Sequence, residues 1–346
     1  MQAVRAFRPA LFVAPLCLAL TPVGDDVTFH PKDGAEVTKT FVNSMELGLD
    51  DLSMTVDGND MSEMMPLDQA HMTVTSTMTI TDKYVKVAEG RPTELIRSFD
   101  SIESSVEAGP ETTSNEDLEK LEGKKVSFKW NEDNKAYDVA YHETEGDADM
   151  LERLAEDMDL RALLPDRNVK EGDKWEIDAD GLMTVIFAGM RLDKMDMGDA
   201  PEEMADVIEE MMSEIKRLGN DVKTVCEYKG ARDVDGKQCG AIAIKVEGKP
   251  SLDLSGLITT IMQKQGEASG TTLDVDVKKA TLGLEINAAG ELVWNLGDGH
   301  VATFQLAPNV QITADIDFSV DAAGEAHTVQ ASVEASAKSE MNVSTK

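Results

Sequence analysis

The sequence has few of the residues from which catalytic and metal centres are usually built. Its 346 residues include three cysteines and five histidines, and aromatic residues make up only 5 % of the chain. No two histidines stand at metal-ligand spacing, and the motifs HExxH, CxxC and GxSxG are absent. The sequence therefore indicates no catalytic residue, no cofactor and no metal site. It leaves enzymatic activity undecided and favours a non-enzymatic protein.

Basic residues are scarce as well. The chain has 33 lysines and arginines against 66 aspartates and glutamates, which gives a formal net charge of −33. A nucleic acid requires a basic face on its protein partner, and an anionic membrane surface attracts basic segments, so this balance argues against both. Apolar residues reach 41 %, which is enough for a substantial hydrophobic core. We therefore expect an acidic, folded protein.

Long apolar runs are missing except near the amino terminus. Two arginines precede an apolar stretch from Ala10 to Leu20, a pattern typical of a secretory signal peptide. No run approaches the roughly 18 residues that a membrane-spanning helix needs. The prediction is a signal peptide at residues 1–24 and a single β-rich domain at 25–346. The protein is then exported to the periplasm, the cell surface or the medium, and lipid attachment at Cys17 stays open.

Two cysteines remain in the predicted mature chain, Cys226 and Cys239. An oxidising compartment allows a disulfide between them. If Asp235-Gly236 forms a two-residue hairpin turn, however, Cys226 faces Lys245, and the two cysteines are about six residues out of register. The sequence does not decide whether this disulfide forms.

Alternating polar and apolar residues dominate the mature chain. From 71 to 81, threonines at the odd positions form one face. The other face carries four apolar residues and one exception, namely Met72, Val74, Met78, Ile80 and Ser76. This pattern is typical of an antiparallel sheet covered on one side, and a second alternating pair at 126–130 and 137–141 predicts a hairpin. The predicted fold class is mainly β, a large curved antiparallel sheet with an inserted two-helix segment packed on one face.

The two predicted helices lie in an insertion at about 147–219. The first begins at an Asp147 cap and continues to Pro165. The second, at 201–218, has methionines and aliphatic residues on one face and acidic residues on the other, and it ends at Gly219-Asn220.

The carboxy-terminal region predicts a meander of strands near 271–287, 291–296, 300–307, 309–320 and 327–341. Turn-forming residues separate these strands at 287–291, 297–299, 308–309 and 321–325. The sequence (Asn/Asp)-Ala-Ala-Gly-Glu occurs at the first and the last of these positions. We therefore expect two hairpins that use the same turn.

Two stretches of the chain resemble sequence segments of other proteins. One is Leu163-Leu164-Pro165, Val169 and Gly172-Asp173-Lys174-Trp175, with the pattern LLP…V…GDxW, and the other is Gly290, Trp294-Asn295 and Gly299-His300. Both are similar to segments of a group of uncharacterised secreted bacterial β-rich proteins, although Asn295 stands where Asp is common. The resemblance covers about 165–320 and implies an exported antiparallel β fold of unknown role. In style the fold also resembles the periplasmic lipoprotein carriers, in which a curved sheet wraps apolar helices around a lipid cavity.

Methionine is the one residue type that is unusually frequent, with 19 in the chain. A flexible thioether side chain suits an adaptable apolar surface. The resulting hypothesis is a non-enzymatic exported binding or carrier protein for an apolar small molecule or lipid. Its cavity would be lined by Met204, Met211, Met212 and Ile215. The alternative is a structural or interaction protein of the cell envelope with no small-molecule ligand, whose helix fills the core.

Overall fold

The computed structural model describes residues 24–62, 71–109, 111–114, 116–191, 194, 213–214, 217–269, 273–322 and 325–346. The strands in these ranges form one large antiparallel sheet that does not close into a barrel. This confirms the predicted fold class, which is mainly β with few helices. The predicted signal peptide, up to residue 23, and most of the predicted helix at 201–218 lie outside the described residues.

The fourteen described strands are β1 Ala35–Val56, β2 Asn59–Asp60, β3 His71–Ala88, β4 Arg91–Ala108, β5 Glu111–Thr113, β6 Lys125–Asn131, β7 Ala136–Tyr141, β8 Lys174–Ile177, β9 Val222–Val234, β10 Lys237–Gly248, β11 Ser251–Asp253, β12 Leu273–Asn295, β13 His300–Ala322 and β14 Glu325–Thr345. The described helices are α1 Glu116–Glu119, α2 Ala148–Glu152, α3 Ala179–Ile186 and α4 Ser255–Ser269, together with a 3-10 turn at Arg161–Leu163. None of these helices is long and apolar enough to cross a membrane.

The order of strands across the sheet is β7-β6-β4-β3-β1-β14-β13-β12-β10-β9-β8. Strands β2, β5 and β11 pair with β1, β4 and β12, respectively. The first and the last long strands, β1 and β14, lie side by side near the middle of the sheet and pair over most of their length. The amino- and carboxy-terminal halves of the chain are therefore joined by backbone hydrogen bonds into one sheet.

One face of the sheet carries the core. In β3, Ile80 is fully buried and Met78 packs against the core, as the alternation predicted. On the opposite face threonine hydroxyls pair across strands, Thr38 with Thr81 at 2.9 Å and Thr40 with Thr79 at 3.3 Å. The predicted hairpin is also present as β6 and β7.

The segment from α2 to α3 covers the core face and contributes Met150, Leu154, Met158, Leu163, Leu182 and Val185 to the core. Asp147 caps α2 as predicted, because its carboxylate accepts a hydrogen bond from the amide of Asp149 at 3.0 Å. The predicted extension of this helix to Pro165 is wrong. The carbonyls of Ala155 and Glu156 accept hydrogen bonds from the buried Arg97 at 3.1 and 2.7 Å, and these tertiary bonds replace the helical ones.

Two predicted turns are also wrong, since β12 passes straight through 287–291 and β13 through 308–309. The two segments lie opposite each other, with Ala288 paired to Pro308. Small residues are needed here for packing, because a side chain at Gly290 would meet the carbonyl oxygen of Gln305 at 2.2 Å. The first Ala-Ala-Gly is thus a site of close backbone approach.

Helix α4 was not predicted. It contains Gly256, Gly266 and adjacent threonines, which all have low helix propensity, and it is stabilised instead by contact with β12.

Both described cysteines are free and buried. A bulge between Gly240 and Ile242 shifts the expected register, so that Cys226 lies opposite Ile244 rather than Lys245. This position is five residues from Cys239 along β10, a separation of about 16 Å at 3.3 Å per residue. Such a distance is too long for a disulfide, and none is formed in this structure.

The close approach at Gly290 gives a testable prediction. We expect Gly290→Ala to lower the free energy of unfolding by about 1–3 kcal/mol, because the backbone of β13 must move away. Gly256→Ala in α4 is the matched control, since its added methyl group meets no atom within 4 Å. The control should be neutral or stabilising by up to about 1 kcal/mol. Denaturant unfolding measures both, and equal effects would contradict this account of the strand.

Candidate ligand-binding cavity

A cavity of about 370 Å³ lies between the core face of the sheet and two parts of the chain that cover it, namely α1 and the segment from α2 to Met190, called the covering segment below. This volume falls in the range of about 300–1,000 Å³ that is usual for small-molecule sites. The sheet contributes Phe41, Met78, Ile102, Phe304, Met341 and Val343 to its wall. The covering segment contributes Met150, Leu154, Met158, Val185 and Met190, and α1 contributes Leu118. The lining is therefore mainly apolar on both sides and includes several methionines.

The covering segment is held to the sheet by a buried ion network. Lys39 on β1 lies 2.9 Å from Asp82 on β3 and 2.9 Å from Asp159 in the covering segment. Asp159 also accepts a hydrogen bond from the hydroxyl of Tyr84 at 2.7 Å. Lys39, Asp82 and Asp159 are all at most 1 % exposed, so the network is shielded from water. One lysine thus ties the covering segment to two strands.

Arg97 on β4 completes this network. Its guanidinium binds both carboxylate oxygens of Asp82, at 2.7 and 2.9 Å, and donates to the carbonyls of residues 155 and 156. Burial raises the pKa of Asp82 by itself, but Arg97 and Lys39 outweigh it and hold that pKa below its usual value. The carboxylate of Asp82 is therefore charged, and both cations are paired.

A second group of charges, Glu156, Asp157 and Arg161, lies beside the first. Arg161 forms ion pairs with Glu156 and, at 3.1 Å, with Asp157. One oxygen of Glu156 is buried and has no hydrogen-bond partner among the described residues. Burial, opposed by Arg161, raises the pKa of Glu156 to about 7. Glu156 can therefore take up a proton near neutral pH.

The residues predicted from sequence to line a cavity are Met204, Met211, Met212 and Ile215, and all four lie outside the described residues. Neither Cys226 nor Cys239 is part of the described lining. His300 is buried at the start of β13, where Nδ1 is 2.8 Å from the carbonyl oxygen of Val301, and burial lowers its pKa. It is not among the lining residues either, and the structure gives it the role of a buried turn residue.

Sequence reasoning missed the buried ion network, although the same alternation contains a signal for it. In each of strands β1, β3 and β4, one charged residue stands on the core face, with a buried apolar or aromatic residue two positions before it and two positions after it. These charged residues are Lys39, Asp82 and Arg97. A charged residue at such a position must be paired, since burying it alone costs several kcal/mol. The sequence could therefore have indicated a buried network, but not which side chains meet.

The residues of the two resembling stretches have structural roles here. The indole of Trp175 donates a hydrogen bond to the carbonyl of Leu163 at 3.2 Å, which joins the LLP and GDxW parts. The indole of Trp294 donates to the carbonyl of Thr28 at 3.1 Å and fixes the segment that precedes β1. These motifs hold the covering segment and the start of the described chain on the sheet, away from the cavity lining.

Comparison with protein-family models and with curated proteins gives no match for this chain. Within the described ranges, no group of three or more His, Cys, Asp or Glu residues could hold a metal ion. The function must therefore be argued from the cavity itself.

The ion network predicts a large difference between two adjacent residues of β3. Asp82→Asn leaves Lys39 and Arg97 buried without their shared carboxylate, and we expect it to lower the free energy of unfolding by about 3–5 kcal/mol. Lys83→Met is the matched control, because Lys83 is 47 % exposed and its ion pair with Glu36 lies at the surface. The control should change stability by less than about 1 kcal/mol. Urea unfolding of both variants checks this, and similar losses would contradict a role for the buried network.

Glu156 predicts a pH-dependent difference in stability. Its pKa is about 7 in the folded protein against an ordinary value of 4.5, so between these pH values the folded state binds a proton that the unfolded chain releases. The contribution of Glu156 to the unfolding free energy therefore falls as pH rises from about 4.5 to 7, by at most about 3.5 kcal/mol at about 1.4 kcal/mol per pKa unit.

Glu156→Gln removes this contribution and leaves the other titrating groups in place. The unfolding free energy of the wild type minus that of the variant should be larger at pH 5 than at pH 7.5. A difference that is constant over this range would show that Glu156 does not titrate as described.

Proposed function

We propose that this protein is a non-enzymatic carrier that binds an apolar small molecule or a lipid chain in the cavity between the sheet and the covering segment. The observation that carries the proposal is the cavity itself, a mainly apolar space of about 370 Å³ between the core face of the sheet and the covering segment. A ligand that fills the cavity buries its own apolar surface together with that of the lining, at about 25 cal/mol per Å² of apolar surface removed from water.

The lining supports binding rather than catalysis. Among the described lining residues none is His, Cys, Asp or Glu, the types that most often serve as general bases, general acids or nucleophiles. The buried ions next to the cavity are paired with one another and hold the covering segment. The proposal also includes export through the signal peptide at 1–24, which the composition and the apolar run support.

Filling the cavity tests the proposal. Ala188 lines the cavity from the covering segment and is only partly buried, so Ala188→Phe should fit by extending into the empty space. We expect the wild type to bind about one equivalent of pentylbenzene in equilibrium dialysis. The variant should bind it at least about tenfold more weakly, because the ring occupies the site.

The control for this experiment is Ala140→Phe on edge strand β7, where residue 140 is exposed. It adds the same ring outside the cavity and should leave binding unchanged. If the wild type binds no pentylbenzene, or if both variants weaken binding equally, the carrier proposal fails. The alternative, an envelope protein without a small-molecule ligand, would then be favoured.

A further inference from the structure

The mainly apolar wall of the cavity contains a row of three polar side chains. Asn43 on β1 lies opposite Ser76 on β3, and Ser76 lies opposite Ser104 on β4, so the three residues stand side by side across three neighbouring strands. All three line the cavity. Ser76 is the exception in the apolar face of β3 that was evident in the sequence, and the pairing shows that the exception extends to the strands on either side.

Apolar residues border this polar row on both sides along each strand. They are Phe41 and Met45 on β1, Val74 and Met78 on β3, and Ile102 and Val106 on β4. Neighbouring strands are about 4.8 Å apart, so the row spans about 10 Å of the cavity wall. The polar groups are thus confined to one band within an apolar surface.

Among the described residues, two of these three side chains have no hydrogen-bond partner. Ser104 can donate its hydroxyl to Glu119 at 3.3 Å, whereas no hydrogen bond from the side chain of Asn43 or Ser76 reaches another described residue. Asn43 and Ser76 are half-buried, so water can hydrate them in the ligand-free cavity, and a ligand that displaces this water without replacing its hydrogen bonds binds more weakly. Their retention in the wall of a cavity is explained if a ligand supplies the partner.

The charges around the cavity favour an uncharged ligand. The described lining contains no acidic residue, and Arg153, its one basic residue, already interacts with another group. An ion brought into this site would be buried without a free counter-ion, and an anion would also meet the field of a protein with a net charge of −33. An amide and a hydroxyl together offer donors and an acceptor, which match a neutral polar group.

We propose that the cavity selects an uncharged, largely apolar molecule with one hydrogen-bonding group, such as a hydroxyl, an ester or an amide, which Asn43 and Ser76 bind. This inference rests on the proposed carrier function and adds the chemical class of its ligand. Since liquid water occupies about 30 Å³ per molecule, a cavity of about 370 Å³ has room for a ligand of about a dozen heavy atoms. The space suits a single short chain or a small ring system with its polar group at the band.

The test uses three compounds of the same skeleton, namely pentylbenzene, phenylpentanol and phenylpentanoate. Equilibrium dialysis measures the binding of each to the wild type, to Asn43→Leu and to Ser76→Ala. In the wild type phenylpentanol should bind more tightly than pentylbenzene, and phenylpentanoate at least about a hundredfold more weakly than the alcohol. Each variant should weaken phenylpentanol binding by about tenfold and leave pentylbenzene binding unchanged or tighter, because only the alcohol loses its partner.

Two controls separate this role from a structural one. Ser44→Leu changes the next residue of β1 on the opposite face and should affect none of the three compounds. In addition, Asn43→Leu should raise the thermal unfolding midpoint of the ligand-free protein, because a half-buried leucine packs better than an amide against the apolar residues on either side of it. A lower midpoint would show that Asn43 is a structural residue and would overturn the inference.

The remaining outcomes distinguish a failure of this inference from a failure of the carrier function. If the variants weaken pentylbenzene and phenylpentanol binding equally, the polar row does not select the ligand, and the inference fails while the carrier function stands. If phenylpentanoate binds most tightly, the ligand class is anionic, and the inference is likewise overturned. If the wild type binds none of the three compounds, the carrier function itself fails.

Discussion

The cavity depends on the buried ion pairs that Lys39, Asp82 and Arg97 make at the core face of the sheet. Through Asp159 and two backbone carbonyls, these three side chains hold the segment of 153–161 above strands β1, β3 and β4. Buried charged groups are stable only when they stay close to their partners, because water cannot replace a lost partner. The network therefore fixes the distance between the segment and the sheet more tightly than apolar packing would. A cavity then remains between the segment and the sheet instead of collapsing.

The sheet could be predicted from the sequence to a large extent, and the cavity could not. The alternation in β3 and the aromatic hairpin of β6 and β7 identify the core face, because side chains alternate between the two faces of a strand. The early end of α2 depends on Arg97, which is 58 residues from its partner Ala155 in the chain, and local periodicity contains no information about such a bond. The bulge near Gly240 and the pairing of Ala288 with Pro308 also depend on residues that are distant in the chain. Turn-forming residue types alone therefore could not predict them.

The most informative feature for function was a single irregularity. Ser76 interrupts the apolar face of β3, and its meaning depends on the register that places Asn43 and Ser104 beside it. Natural sequences keep such unfavourable polar residues mainly where function requires them. The methionine-rich character that suggested an apolar ligand site is present in the described wall, at Met78, Met150, Met158, Met190 and Met341.

The central claim is that the protein holds a small apolar molecule in this cavity. The most direct measurement is the mass of the protein purified from cells that produce it, first under native and then under denaturing conditions. The account predicts an additional mass in the native spectrum that leaves on denaturation and that belongs to a neutral molecule with one hydrogen-bonding group. A native spectrum showing the bare polypeptide, together with no uptake of added pentylbenzene or phenylpentanol, would contradict it.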